Sequence, residues 1–373
     1  MPRRIAIVGA GPAGLYTLER LIKVDPDARI DVIDRLPVPF GLIRYGVAPD
    51  HQSTKQIARL LTRALERPTV RFIGGVEVGK DVNLSSLQAA FDAVVIATGC
   101  SRDRKLGIPG EDLPNVLTSG QVTGWYNDRP DHEVVLPERV RDVVIIGAGN
   151  VALDIARIFA KSANEMAGSD LAPEKGELLA RWPLRSVTLV ARREAKFTVL
   201  EIEEIGRLAR AQPIVDEAEL PPEAFGESAV LRTLRGYARQ PRDDRPIALT
   251  FRFGLVPTAF SADAVHFGSV FLPADLAVTC IGSEGTRDGA YVVGWAANGA
   301  SGTIPTSRTH AHLVADRLLA ETVAGGRPGW PAVPHYSLDD WKKIDLAERQ
   351  RAPAGRVRHK FARLAEMDAA RRP

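Results

Sequence analysis

The chain has 373 residues, 45% hydrophobic and 25% charged, with a formal net charge of +3. This is the balance of an ordinary globular protein of roughly two domains, with too little charge to point to nucleic acid. Its two cysteines, Cys100 and Cys280, lie far apart and form no C-x-x-C pair. That excludes a redox-dithiol site, a cysteine-ligated iron–sulfur cluster and a disulfide framework, and it points to a reducing cytoplasm. The N-terminus enters its first strand almost at once, so no secretory signal is expected, and no apolar stretch approaches the roughly 18 residues a membrane span requires.

Ile5 to Val8 is an apolar run of strand length that ends in Gly9-Ala10-Gly11-Pro12-Ala13-Gly14. Leu15, Leu18, Leu21 and Ile22 recur at helical spacing, and a second run, Ile30 to Ile33, closes on Asp34. Strand, glycine turn, helix, strand and acid form the layout of a dinucleotide-binding βαβ unit. Gly9 suits the tight turn, Gly11 leaves room for a pyrophosphate, and Gly14 allows close helix–strand packing. Free helix amides would hold the phosphates, and Asp34 can accept from ribose hydroxyls. A tight turn with no ligand is the alternative. The following segment, Arg35 to His51, is a loop by its prolines and glycines, yet it is apolar. It suits a cover over a flat ring such as an isoalloxazine, the alternative being packing between domains.

Gln52 to Leu65 reads as a helix, Val70 to Val78 as two short strands around Gly74-Gly75, and Phe91 to Ile96 as a buried strand. The first pattern then repeats. Arg141 to Ile146 is a strand, followed by Gly147-Ala148-Gly149-Asn150-Val151-Ala152 and a helix through Phe159. Two such folds suggest two dinucleotides, with duplication and one empty site as the alternative. The next strand, Ser186 to Val190, runs into Ala191-Arg192-Arg193. An NAD site would carry an acid here; guanidinium forks instead suit a 2′-phosphate.

Phe197 to Leu208 reads as a helix with acids at Glu201, Glu203 and Glu204, for which a solvated face is the default. Arg232, Arg235 and Arg239 fall at helical spacings and form one positive face, either solvated or a docking face for an acidic partner. Ile247 to Phe253, Ala264 to Phe271 and Leu276 to Ile281 read as strands of a small sheet completing the second nucleotide domain. A glycine-rich stretch from Tyr291 to Pro305 then feeds a helix that starts near Thr306 or Ser307 and stops at Gly325-Gly326. Its N-terminus suits the negative charge that develops at the pyrimidine end of a reduced flavin. The tail contains Trp341 and an expected helix from Arg356 to Ala370, with no assigned chemistry.

These residues resemble the adrenodoxin-reductase type of ferredoxin–NADP reductase, a branch of the glutathione-reductase-like flavoproteins. The resemblance spans nearly the whole chain. It rests on Phe40 to His51, with Val47-Ala48-Pro49-Asp50-His51 its most specific string, and on Ile108-Pro109-Gly110-Glu111 and Gly124-Trp125-Tyr126-Asn127. Gly149-Asn150-Val151-Ala152-Leu153-Asp154, Arg192-Arg193, Phe197-Thr198 and Gly294-Trp295 add to it. The resemblance implies an α/β architecture of two Rossmann-like dinucleotide-binding domains. An NADP domain, residues 105–285, would be inserted into an FAD domain of residues 1–104 and 286–373.

It further implies FAD held by Gly9, Gly11, Ala13, Gly14, Asp34, Leu42, Val78, Trp295 and the amides of Gly302, Thr303 and Ile304. NADPH would be held by Gly149, Asn150, Val151, Ala152, Arg192, Arg193 and Glu201. His51, and an acid matched to Glu204, are implied to assist nicotinamide placement or proton movement, although hydride transfer between rings needs only their alignment. The implied activity passes electrons from NADPH through FAD to a ferredoxin-type iron–sulfur protein that feeds a cytochrome P450 or an oxygenase. An NADPH oxidase or diaphorase with another acceptor, and a non-catalytic flavin-binding interaction protein, are the alternatives. The chain departs from the family in having Ala297-Asn298-Gly299-Ala300 where a basic Lys-Arg-Gly-Pro turn is usual, and in a shorter stretch between Gly282 and Tyr291.

Overall fold

The computed structural model describes residues 1–372 apart from 101, 194–195, 286–288, 301–303 and 331–332. The chain first runs β1 (Arg4–Val8), α1 (Pro12–Val24), β2 (Arg29–Asp34), α2 (Leu42–Tyr45), α3 (Gln52–Lys55), α4 (Ile57–Leu65), β3 (Val70–Gly74), α5 (Leu84–Ala90) and β4 (Ala93–Ile96). It crosses on β5 (Arg102–Asp103) into β6 (Val116–Thr118), α6 (Ser119–Tyr126), β7 (Asp142–Ile146), α7 (Asn150–Ala160), α8 (Pro173–Arg181), β8 (Ser186–Ala191), α9 (Val199–Gly206), β9 (Ala211–Val215) and α10 (Ala229–Ala238). Then follow β10 (Ile247–Phe253), β11 (Ala259–Phe260), β12 (Ala264–Phe267), β13 (Val270–Pro273) and β14 (Leu276–Thr279). The return is through β15 (Ser283–Glu284) and β16 (Tyr291–Val292) to α11 (Trp295–Asn298), α12 (Ile304–Glu321), α13 (Leu338–Gln350) and α14 (Leu364–Arg371).

Two parallel sheets result, one in the order β16-β4-β1-β2-β3 and one in the order β6-β14-β7-β8-β10-β9. Their central strands are apolar on both faces because both faces are covered, in the second sheet by helices on one side and by β11, β12 and β13 on the other. Ile5 and Ile7 pack into one core layer while Ala6 and Val8 pack into the other; Val143 and Ile145 alternate with Val144 and Ile146 in the same way. β5 and β15 pair antiparallel where the chain leaves and re-enters the first fold. A second Rossmann-like fold is therefore inserted into a first. No helix among the described residues is long and apolar enough to cross a membrane.

Several local expectations need correction. The helix over 52–65 is two, joined at Gln56. Val70 to Val78 is one strand plus an isolated bridge between Val78 and Val82, because Gly75 turns the chain away in the left-handed region. β10 and β14 are not in a small sheet: β14 is buried on both faces, β10 buries Ile247, Leu249 and Phe251 on one, and both join the parallel sheet, leaving β11, β12 and β13 as a separate antiparallel sheet. The helix expected near Thr306 begins by Ile304. The tail helix expected over 356–370 is confined to its second half, α14, and an unexpected longer helix, α13, precedes it from a Ser337–Asp340 capping box.

That tail ties the two folds together. Glu348 of α13, wholly buried, takes Arg44 of α2 at 2.5 Å and Arg358 at 2.9 Å. Lys360, also buried, lies 3.0 Å from Asp170 of the inserted fold, whose carboxylate also receives Lys55 at 2.8 Å. Asn127 Oδ1 accepts from both lysines, and the Asp170 amide donates to Pro49 O at 3.0 Å. Two ammonium groups thus share one buried carboxylate between the folds. Burial, with Lys360 alongside, pushes Lys55 down to about 7.

Candidate active site

The two glycine turns are built alike. Gly9 N donates to Ile33 O at 2.7 Å and Gly147 N to Val190 O at 2.9 Å, tying each turn to the neighbouring strand. A Cβ on Gly9 would lie 2.3 Å from Ala97 O, and one on Gly147 would lie 2.5 Å from Cys280 O, at matching places beyond β4 and β14. A Cβ on Gly14 would lie 2.0 Å from Gly9 O, while the matching third position in the second turn is the fully buried Ala152. The middle glycines differ from these. Gly149 has nothing within 4 Å of a Cβ position, and Gly11 has only Gly41 Cα at 4.0 Å. Both face open space at the start of a helix, α1 or α7, whose N-cap glycine leaves amides without side-chain partners. A pyrophosphate fits such a cradle.

The first turn is clamped by two other segments. Phe40 N donates to Ala10 O at 2.8 Å, and a Cβ on Gly41 would approach Gly11 Cα to 2.9 Å. From the return segment, Gly294 at φ 68 comes so close that a Cβ there would lie 2.4 Å from Ala13 Cβ. Loop 35–51 and the Gly294-Trp295 turn therefore meet over the start of α1, with Leu42 and Trp295 half-buried beside it. Asp34 Oδ2 accepts from Ala10 N at 2.7 Å and Oδ1 from Leu36 N at 2.9 Å. Burial raises this carboxyl above its ordinary value, against the pull of those two amides. The half-buried Val78 sits where the chain turns after β3, and Ile304 opens α12. Gly302 and Thr303 lie outside the described residues.

In the second fold, Arg192 and Arg193 are exposed just past β8 and have no ion-pair partner among the described residues. Val151 is partly exposed in the first turn of α7, and Asn150 Oδ1 accepts from Thr198 N at 2.9 Å. Ala152, fully buried, serves packing.

Between the folds, His51 and Glu204 meet, with 3.1 Å between Nε2 and Oε2. Glu201 Oε2 lies 4.0 Å from the same ring nitrogen, and Asp154 Oδ1 lies 3.7 Å from Nδ1. Arg157, only 1% exposed, reaches Glu204 at 3.3 Å and also contacts Asp50 and Asp154; Lys161 reaches Asp50 at 2.5 Å. Burial, with Glu201 and Glu204 close by, pushes Asp154 up to about 7 despite His51. Glu204 moves the other way: the His51 hydrogen bond and Arg157 outweigh burial and hold it below the ordinary range. Sequence reasoning missed Asp50, Asp154, Arg157 and Lys161. Their signal was present in part, since Asp154, Arg157 and Lys161 recur at helical spacing from α7 into its C-cap.

The expected positive face on α10 does not form. Arg235 is buried, hydrogen-bonded to Glu217 at 3.1 Å and Glu227 at 2.8 Å, and Arg239 pairs with Glu217 and Glu223 at 2.7 Å each. Only Arg232 is exposed and without an ion pair among the described residues. The acids came from chain segments outside the helix, which its spacing cannot show. Cys100 and Cys280 are free thiols, both raised above their ordinary value by burial.

The family model described as pyridine nucleotide-disulphide oxidoreductase matches residues 3–211. The chain is 34% identical to the cindoxin reductase of Citrobacter braakii over 97% of its length and 90% of the relative's. It is 32% identical to the NADPH-ferredoxin reductase FprA of Mycobacterium tuberculosis, over 98% of both. With the human mitochondrial NADPH:adrenodoxin oxidoreductase it shares 30%, over 98% of this chain and 91% of that one. A structure of Mycobacterium tuberculosis FprA in complex with NADPH superposes over 100% of both chains with a TM-score of 0.90 at 30% identity.

Proposed function

The chain belongs to the pyridine nucleotide-disulphide oxidoreductase family, in the branch of the adrenodoxin-type NADPH reductases, and we propose that it passes electrons from NADPH through FAD to a ferredoxin-type iron–sulfur protein. The observation that carries this reading is the duplicated turn, with two middle glycines facing open space in one chain. FAD, when bound, supplies the conversion between a two-electron donor and a one-electron acceptor. The rest falls to the chain. Gly9, Gly11, Ala13 and Gly14 seat the flavin nucleotide's pyrophosphate, and Asp34 keeps lone pairs for its ribose. Leu42, Val78, Trp295 and the start of α12, with Gly302, Thr303 and Ile304, border the ring system.

Gly149, Asn150 and Val151 receive the second pyrophosphate, and Arg192 and Arg193 pair with the 2′-phosphate. Glu201, Glu204 and His51 hold the nicotinamide end at the boundary between folds, where alignment of the two rings sets the rate. The FAD domain comprises residues 1–104 and 286–373, with residues 105–285 as the NADP domain. Two free thiols and no C-x-x-C pair fit a reducing cytoplasm and leave no dithiol for a disulfide reductase.

The test is direct. Purified protein is expected to be yellow, to release FAD on acidification as identified by chromatography, and to bleach with NADPH. A ferredoxin is expected to accelerate NADPH-dependent cytochrome c reduction well beyond the rate without it. FMN in place of FAD, or no response to any ferredoxin while ferricyanide is still reduced, overturns the reading.

A further inference from the structure

The loop between β8 and α9 carries a cation not yet given a role. Lys196 is exposed and has no ion-pair partner among the described residues. Its amide donates to Ala148 O at 2.8 Å, the middle residue of the Gly147-Ala148-Gly149 turn. Two residues on, the Thr198 amide donates to Asn150 Oδ1 at 2.9 Å. These two bonds pin residues 196–198 across the start of α7, beside the open space in front of Gly149. Arg192 and Arg193 precede Lys196 by only four and three residues, so the same short loop carries all three cations. An ammonium there acts as a point charge for phosphate oxygens without the planar demands of a guanidinium.

We propose that Lys196 pairs with the pyrophosphate of NADP(H), while Arg192 and Arg193 take the 2′-phosphate. The anchor on Ala148 favours the pyrophosphate, because that carbonyl belongs to the phosphate turn and not to the end of β8. The inference rests on the reading of the second fold as the NADP(H) site. It divides affinity from discrimination. The pyrophosphate is common to NADPH and NADH, so Lys196 strengthens both, whereas the arginine pair distinguishes them.

The experiment compares the wild-type holoprotein with Lys196→Gln, Lys196→Arg and the double variant Arg192→Gln/Arg193→Gln. Isothermal titration calorimetry gives Kd for NADP+, and ferricyanide reduction gives kcat/KM for NADPH and for NADH. Loss of one charge-assisted contact at an exposed site corresponds to about a three- to tenfold effect. Lys196→Gln is expected to raise Kd for NADP+ and lower kcat/KM for both dinucleotides by that same factor, with Lys196→Arg restoring most of it. The arginine variant is expected to lose NADPH alone. A loss confined to NADPH in Lys196→Gln overturns the proposal by moving the lysine to the 2′-phosphate, and unchanged values overturn it outright. A wild-type protein that binds no NADP+ fails the underlying reading instead, which the same titration shows before any variant is made.

Discussion

His51 and Glu204, contributed by different folds, lie 3.1 Å apart, and the same Glu204 oxygen lies 3.3 Å from Arg157 Nε. The carboxylate is thereby fixed from two sides and fixes the His51 ring in turn. Replacing Glu204 with Gln keeps a hydrogen-bonding group but removes the charge. If the pair aligns the nicotinamide, Glu204→Gln and His51→Ala are expected to raise KM for NADPH and lower kcat about tenfold each, roughly 1.4 kcal/mol of barrier. Flavin content should hold. Asp154, pushed up to about 7, adds a pH signature. As pH rises through 7 it gains negative charge beside Glu201 and Glu204, so KM for the anionic NADPH should rise, and Asp154→Asn should remove that inflection. Rapid-mixing measurements of flavin bleaching across pH decide the matter.

The open space beside the middle glycines separates folding from ligand binding. Gly149→Ala should keep the wild-type melting temperature and flavin content while losing NADP+ affinity, since its new methyl meets only the ligand's place. Gly11→Ala should fold as an apoprotein with weakened flavin retention. Gly14→Ala forces a methyl against Gly9 O and should fail to form the first fold at all. Circular dichroism melts beside flavin absorbance test all three; equal damage from Gly149→Ala and Gly14→Ala would falsify the assignment of the open space to a ligand.

Arg192 and Arg193 face solvent with no described carboxylate to neutralise them. Two charge-assisted contacts at roughly 1.5–3 kcal/mol each, discounted for solvent, predict a preference for NADPH over NADH of about tenfold or more. Replacing both with Ala should abolish most of that preference by raising KM for NADPH and leaving that for NADH in place. Comparable use of both dinucleotides by the wild type counts against the assignment.

The buried Lys55–Asp170–Lys360 group makes a stability prediction with a definite sign. Lys55 releases its proton near 7 in the fold and near 10.5 in the unfolded chain. The folded state therefore binds fewer protons across that window, so this group's contribution grows as pH rises from about 7 towards 10.5 and is lost as pH falls back. Lys55→Met should flatten that dependence and leave Lys360 paired with Asp170. Asp170→Asn removes the carboxylate that both lysine nitrogens share, leaves the buried Lys360 without its counter-charge, and should cost about 3–5 kcal/mol. Denaturant melts at pH 7 and 9 distinguish the two variants.

On α10, Arg235→Gln should lower the melting temperature, because it leaves the buried Glu227 without its cation. Arg232→Gln should leave both stability and ferredoxin-dependent turnover unchanged. A large loss of ferredoxin-dependent turnover in Arg232→Gln, with ferricyanide reduction intact, would restore this helix as a docking face.

What could be read in advance was local. Both glycine turns form where their spacing predicts, because each is built from residues within one βαβ unit. Glu204 was reachable through resemblance, but its contact with His51 is made across 153 positions of chain. Periodicity also misread α10: spacing places Arg232, Arg235 and Arg239 on one side, yet Glu217, Glu223 and Glu227 arrive from the preceding loop. The tail gave least warning, since Glu348 and Lys360 look like any surface charges until their partners are known.

The position of β16 has a consequence for the order of synthesis. This edge strand lies beside β4 but leaves the ribosome only after all six strands of the inserted sheet. Domains fold as units during translation, N-terminal ones first, yet here the guest is complete while its host still lacks a strand and the Gly294 clamp on Ala13. The nascent chain should bind NADP+ before it can retain a flavin. Stalled chains ending near residue 285 give the check: a folded guest and no yellow colour.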